Sequence, residues 1–150
     1  MYEQDYLMRM LLQFFKAIAR SWELNRDHDD PLAAAETLEN AIGNATDMDG
    51  ATLLGLSPES IAQIMRVTDV DPNVTQFIAR SMLLEAVYLN RAERHGLADL
   101  RTQQARAIAR EYSFDLPDDP SDFESLTEGL EQIATGTSEP TDCQETGFPR

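Results

Sequence analysis

Asp47 and Asp49 stand two apart just before Gly50, and carboxylates spaced this way in a turn are how a calcium loop begins. An EF-hand loop needs glycine at its sixth position and a bidentate acid at its twelfth. With Gly50 sixth, Ala45 falls first and Leu56 twelfth, so both end ligands are missing. The spacing therefore predicts a turn in which Asp47 and Asp49 serve as turn and cap residues. His28 lies among Asp27, Asp29 and Asp30. A transition-metal site takes about three or four ligands converging in space, which one acidic loop does not supply. His95 falls near a predicted helix end, where an imidazolium complements the negative pole. No metal site is expected.

The chain offers little for covalent or acid–base catalysis. It has two histidines and one cysteine, Cys143, and carries no G-x-S-x-G, phosphate-binding glycine loop or H-E-x-x-H. A lone cysteine excludes an internal disulfide framework and a Cys-based zinc site. With 27 acids present, chance pairing of carboxylates is expected and signals nothing by itself. The six methionines are scattered and read as core fillers. No catalytic residue and no cofactor is expected.

At 150 residues the chain has one domain's length, and 42% hydrophobic with 26% charged residues is a globular composition. Its net charge of −15 would repel the phosphates of nucleic acid and anionic lipid. No apolar run reaches the roughly 18 residues of a membrane span. The N-terminus begins with Glu3 and Asp5, and Arg9 and Lys16 interrupt its apolar run, so it is not a secretory signal. A cytoplasmic protein is expected.

An all-α fold of about six helices must position whatever the chain does. Asp30-Pro31, Ser57-Pro58, Asp71-Pro72 and Asp119-Pro120 each set a capping side chain before a proline. The oxygen accepts an orphan N–H, and proline suits the first helical position. The predicted helices cover residues 4–25, 31–45, 58–67, 72–95, 97–112 and 120–134, with a turn or single helical turn at 49–56. Gly96 is expected in the αL position after the fourth. No alternation of strand type occurs. Residues 1–135 form one helical domain, and the polar stretch 136–150 reads as a flexible tail.

In the first helix Asp5, Arg9, Gln13, Lys16, Arg20 and Glu23 fall within an arc of about 80° at 100° per residue. Apolar residues occupy most of the rest, more than the stripe of about 100° an ordinary surface helix needs. It is therefore the central helix or a subunit interface. A homodimer using Leu7, Leu11, Phe14, Phe15 or Trp22 is expected.

Residues 74–110 hold six arginines, Arg80, Arg91, Arg94, Arg101, Arg106 and Arg110, against three acids. Residues 111–149 hold eleven acids and no lysine or arginine. The expectation is a basic face against which 118–131 docks, anchored by Phe123, Leu126, Leu130 and Ile133.

The opening residues, Tyr2-Glu3-Gln4-Asp5-Tyr6-Leu7-Met8-Arg9-Met10, resemble the start of a family of uncharacterised bacterial proteins with an Asp-Tyr-(Ile/Leu)-x-Arg motif. The later part of that family is similar to tetratricopeptide-type helix pairs, matching residues 86–112 here with Gly96 at the turn. The resemblance covers 1–112 and implies antiparallel helical hairpins, with no activity, substrate or cofactor. The pair departs from the strict pattern at Arg101, where a small residue is wanted, and at Ala105, where a large aromatic is wanted.

The function expected is a non-enzymatic helical scaffold for a protein or peptide partner, or for self-association. The alternative is a small-ligand-binding protein or enzyme using carboxylates in an inter-helix pocket, with Tyr88 or Tyr112. Surface attachment of the first helix to membranes is opposed by the net charge.

Overall fold

The computed structural model describes residues 2–68 and 70–116. Six helices follow in order: α1 (Tyr2–Arg26), α2 (Pro31–Thr46), α3 (Gly50–Leu54), α4 (Pro58–Val67), α5 (Pro72–Arg91) and α6 (His95–Tyr112). The described residues contain no strand, so the all-α expectation holds. The predicted helix at 120–134, the capping pair at Asp119-Pro120 and the tail at 136–150 lie outside the described residues.

Local chemistry sets the helix starts. Asp30 accepts from the Ala33 N–H, Ser57 from Ser60 and Asp71 from Asn73, each just before a proline. Asp49 caps α3 by accepting from the N–H and hydroxyl of Thr52. Asp47 closes α2 in the left-handed region at φ 57°, with its N–H on the Gly43 carbonyl. The Asp-x-Asp-Gly stretch is thus a stop followed by a start.

The hairpin between α5 and α6 differs from the sequence reading. Gly96 is not its turn; it lies inside α6, and its φ is not positive. The chain reverses at Ala92–Arg94, where Glu93 takes the left-handed conformation at φ 63°. The Arg94 N–H then reaches back to the Leu89 carbonyl at 2.7 Å. His95 opens α6 rather than ending α5, and its Nδ1 lies 2.8 Å from Asn90 Oδ1.

Packing runs through two helical hairpins, α1/α2 and α5/α6, with α2 and α1 both against α5 and α4 against α6. The larger core joins Leu11 and Phe14 of α1, Leu53 and Leu54 of α3, and Ile61 and Met65 of α4 to Phe77 and Met82 of α5. A smaller one near the hairpin ends gathers Ile18, Leu38, Leu84 and Leu89.

The enveloped helix is α5, not α1. From Val74 to Leu89 only Gln76, Arg80 and Val87 escape full burial. Thr75, Ser81 and Glu85 are buried with the apolar residues.

Candidate functional site

The most concentrated chemistry is a buried charge cluster where α2, α3, α5 and α6 meet. Arg101 of α6 is 5% exposed and Glu85 of α5 is 0% exposed. Arg101 Nε donates to Glu85 Oε2 at 2.9 Å, and Nη2 to Glu39 Oε2 at 3.3 Å. Its Nη1 donates to the Leu54 carbonyl at 2.8 Å and to Gln104 Oε1 at 3.2 Å. Gln104 Nε2 donates to the Leu54 and Leu56 carbonyls at 2.9 and 2.7 Å. The cluster therefore satisfies the carbonyl of Leu54, left open at the C-terminal end of the short helix α3, and that of Leu56 just beyond it.

Two carboxylates around one guanidinium leave one negative charge in excess. Glu85 Oε1 is buried and accepts no hydrogen bond, which suits a protonated carboxyl facing Glu39. Glu85 is held well above the ordinary carboxylate range. Burial is the main cause and Glu39 adds to it, while Arg101 opposes both without cancelling them.

A pH dependence follows from that direction. Between the unfolded glutamate value of about 4.3 and the raised folded value, the folded chain keeps a proton that the unfolded chain has released. Stability therefore falls as pH rises through that window. Glu85→Gln keeps an acceptor for Arg101 Nε and gains a donor towards Glu39, without a titrating group. Its thermal midpoint should fall less than that of the wild type between about pH 5 and about pH 8. Equal slopes in calorimetry would show that Glu85 is already ionised in the folded chain.

The hydrogen bonds of the cluster all stay within the chain, joining α6 to α2, to α5 and to the end of α3. What it positions is the platform under α1. Leu11 and Phe14 are each 1% exposed and seat α1 in the core. Ser21 Oγ lies 3.0 Å from the Tyr88 hydroxyl, joining α1 to α5 inside the protein. Arg91 Nη1 donates to Asn25 Oδ1 at 2.8 Å and Nη2 to Asp29 at 3.2 Å, which holds the far end.

This anchoring leaves an outer face. Met8, Phe15, Ala19 and Trp22 are half-buried, and Leu12 is 53% exposed. Their spacing of four, three, four and three residues places them within an arc of about 80°. Asp5, Arg9, Lys16, Glu23 and Arg26 border the face and are exposed. The Arg26 guanidinium sits 5.9 Å from the centre of the Trp22 ring. Shallow cavities of about 310 and 250 Å³ flank Trp22, the first beside Ala19 and Asp27, the second beside Leu84 and Val87.

The expected interface residues thus divide. Leu11 and Phe14 are spent on the chain's own core and are withdrawn as interface residues. Leu7 packs partly against that core, Phe15 lies on the outer face with one side packed against the core, and Trp22 is half-buried on the outer face. Met8, Leu12 and Ala19 were missed, although the alternating four-three spacing was readable.

The six arginines do not form one basic face. Arg101 is interior because two carboxylates and a carbonyl draw it inward. Arg91 is paired with Asn25 and Asp29, and Arg80 lies half-buried, 5.5 Å from the Phe77 ring centre. Arg94 is exposed at the hairpin turn. Arg106 and Arg110 share an exposed edge of α6 beside a depression of about 380 Å³ lined by Phe114 and Leu116. The proposed docking segment 118–131 lies outside the described residues.

A larger cavity of about 450 Å³ opens between Tyr6 and Met10 of α1, Asp47 after α2, and Asp71 at the start of α5. Thr46 on its wall donates to the Ile42 carbonyl, and Asp71 accepts from Asn73, so both have structural partners. Among the described residues no group of three or more metal-ligating side chains converges, and no helix is long and apolar enough to cross a membrane.

The fold and site define a class: an all-helical domain whose internal charges fix its helices and whose first helix carries a partly exposed apolar face. Compared with protein-family models, curated proteins and solved structures, the chain matches none of them.

Proposed function

We propose that the protein is a non-enzymatic helical scaffold that presents the outer face of α1 to a protein partner. The observation that carries this reading is the run Met8, Leu12, Phe15, Ala19 and Trp22, partly exposed on a helix locked down along its other side. A rigid helix bearing spaced apolar residues beside a charged flank is a recurring partner-binding surface. The likeness of residues 2–10 to the bacterial family, and of α5/α6 to a tetratricopeptide pair, belongs to the same reading, as does a cytoplasmic setting. Small-ligand binding is the second reading, favoured by the cavity beside Tyr6 and Asp47.

A photo-crosslinking residue placed at position 12 in the full chain, expressed in its native host, tests the proposal. It should give a discrete protein adduct, and the same residue at exposed position 63 on α4 should not. The absence of any adduct from position 12 would overturn the scaffold reading.

A further inference from the structure

We infer that the partner of the α1 face is a second copy of this chain, packed antiparallel along α1; the inference rests on the scaffold reading above and names its occupant. The four-three spacing is that of a heptad seam, in which apolar residues of two helices meet layer by layer. In an antiparallel pair centred on Phe15, Phe15 meets its own copy. Met8 then faces the partner's Trp22, and Leu12 faces the partner's Ala19. Large residues oppose small ones in the Leu12 layers, and the hollows flanking Trp22 give the partner's Met8 somewhere to insert.

Charge chooses the direction. Antiparallel alignment sets Asp5 beside the partner's Arg26 and Arg9 beside the partner's Glu23, each pair occurring twice by symmetry. Lys16 alone, at the two-fold axis, meets its own kind. A parallel alignment in register would instead set Asp5 and Arg26, which continue the seam at its two ends, against their own copies, and would carry Arg9 and Glu23 to opposite sides of the seam, where they do not meet. Arg20 and Glu23 form an exposed ion pair within one chain at 2.6 Å. Such a pair is weak enough to yield Glu23 to a new partner.

Sedimentation equilibrium of the full chain, from micromolar to about millimolar concentration, reads the outcome. The wild type should move from 16.8 kDa towards twice that mass. Leu12→Glu should hold it at 16.8 kDa with an unchanged melting curve, because Leu12 is already mostly exposed. Arg9→Glu and Glu23→Arg should each weaken association about tenfold by putting like charges together twice. The double variant Arg9→Glu/Glu23→Arg should restore it, which only the antiparallel arrangement predicts.

A wild type that stays at monomer mass throughout, or a dimer indifferent to Leu12→Glu, would overturn the inference. So would a double variant that adds the two defects. A position-12 adduct to a different protein, or to residues 117–150 of the same chain, would overturn it too. Of these results, the adduct to a different protein leaves the scaffold reading standing. The absence of any adduct is what removes the scaffold itself.

Discussion

Arg101→Ala should cost about 3–5 kcal/mol of folding stability, the range for breaking a buried ion pair from one side. The variant leaves Glu85 and Glu39 facing each other without a cation and removes a donor from the Leu54 carbonyl. Gln104 still reaches that carbonyl, and protonation of Glu85 relieves part of the repulsion, so the effect should grow with pH. Arg101→Met keeps most of the buried volume. Combined with Glu85→Leu it should recover much of the loss, because replacing a buried ion pair by apolar residues of similar volume is often tolerated, and Glu39 is partly exposed and can turn to water. Urea unfolding followed by circular dichroism at about pH 6 and about pH 8 gives both numbers. A loss below about 1 kcal/mol for Arg101→Ala would mean that the cluster contributes no more than a surface pair.

Gly50→Ala should destabilise by about 2–3 kcal/mol, as overpacking against parts that cannot move does. An added Cβ there would lie 2.6 Å from the Glu39 carbonyl oxygen, and one at Gly43 would lie 2.9 Å from both Gly50 N and Met48 O. All of these neighbours are backbone, so α2 and α3 would have to separate. The helix propensity of alanine favours the substitution by about 1 kcal/mol, which is too little to reverse the sign. Glu39 carries one of the carboxylates of Arg101, so separation here also loosens the charge cluster. Gly96→Ala is the control. Nothing lies within 4 Å of its added Cβ, and the variant should be neutral or slightly stabilised. A Gly50→Ala midpoint equal to that of Gly96→Ala would refute the close approach.

The helices were legible where local chemistry alone decides them. An aspartate or serine before proline is a cap whatever lies beyond it, and α2, α4 and α5 begin at their prolines as read. Gly96 misled because glycine permits a left-handed turn without requiring one; Glu93 takes that conformation instead. Arg101 shows the opposite case. Its departure from the small residue of a tetratricopeptide pair was visible in the sequence. Its partners lie 16, 47 and 62 residues away, and no local pattern joins residues at that separation. The face of α1 was half legible. The excess of apolar surface was plain, but which part the chain consumes depends on where α5 lies.

The reach of Arg101 and Gln104 also constrains how the chain is made. Synthesis delivers residues in order at about 5–20 per second. The carbonyls of Leu54 and Leu56 therefore leave the ribosome well before the side chains that satisfy them, 47 to 50 residues later. Throughout that interval α1 and α2 are out, and the α3 end is open to water and to other nascent chains. The first half of the polypeptide is an unfinished object until its last described helix closes it. A chain truncated before Arg101 would leave the Leu54 and Leu56 carbonyls without these donors, and so would not be a smaller version of the same fold.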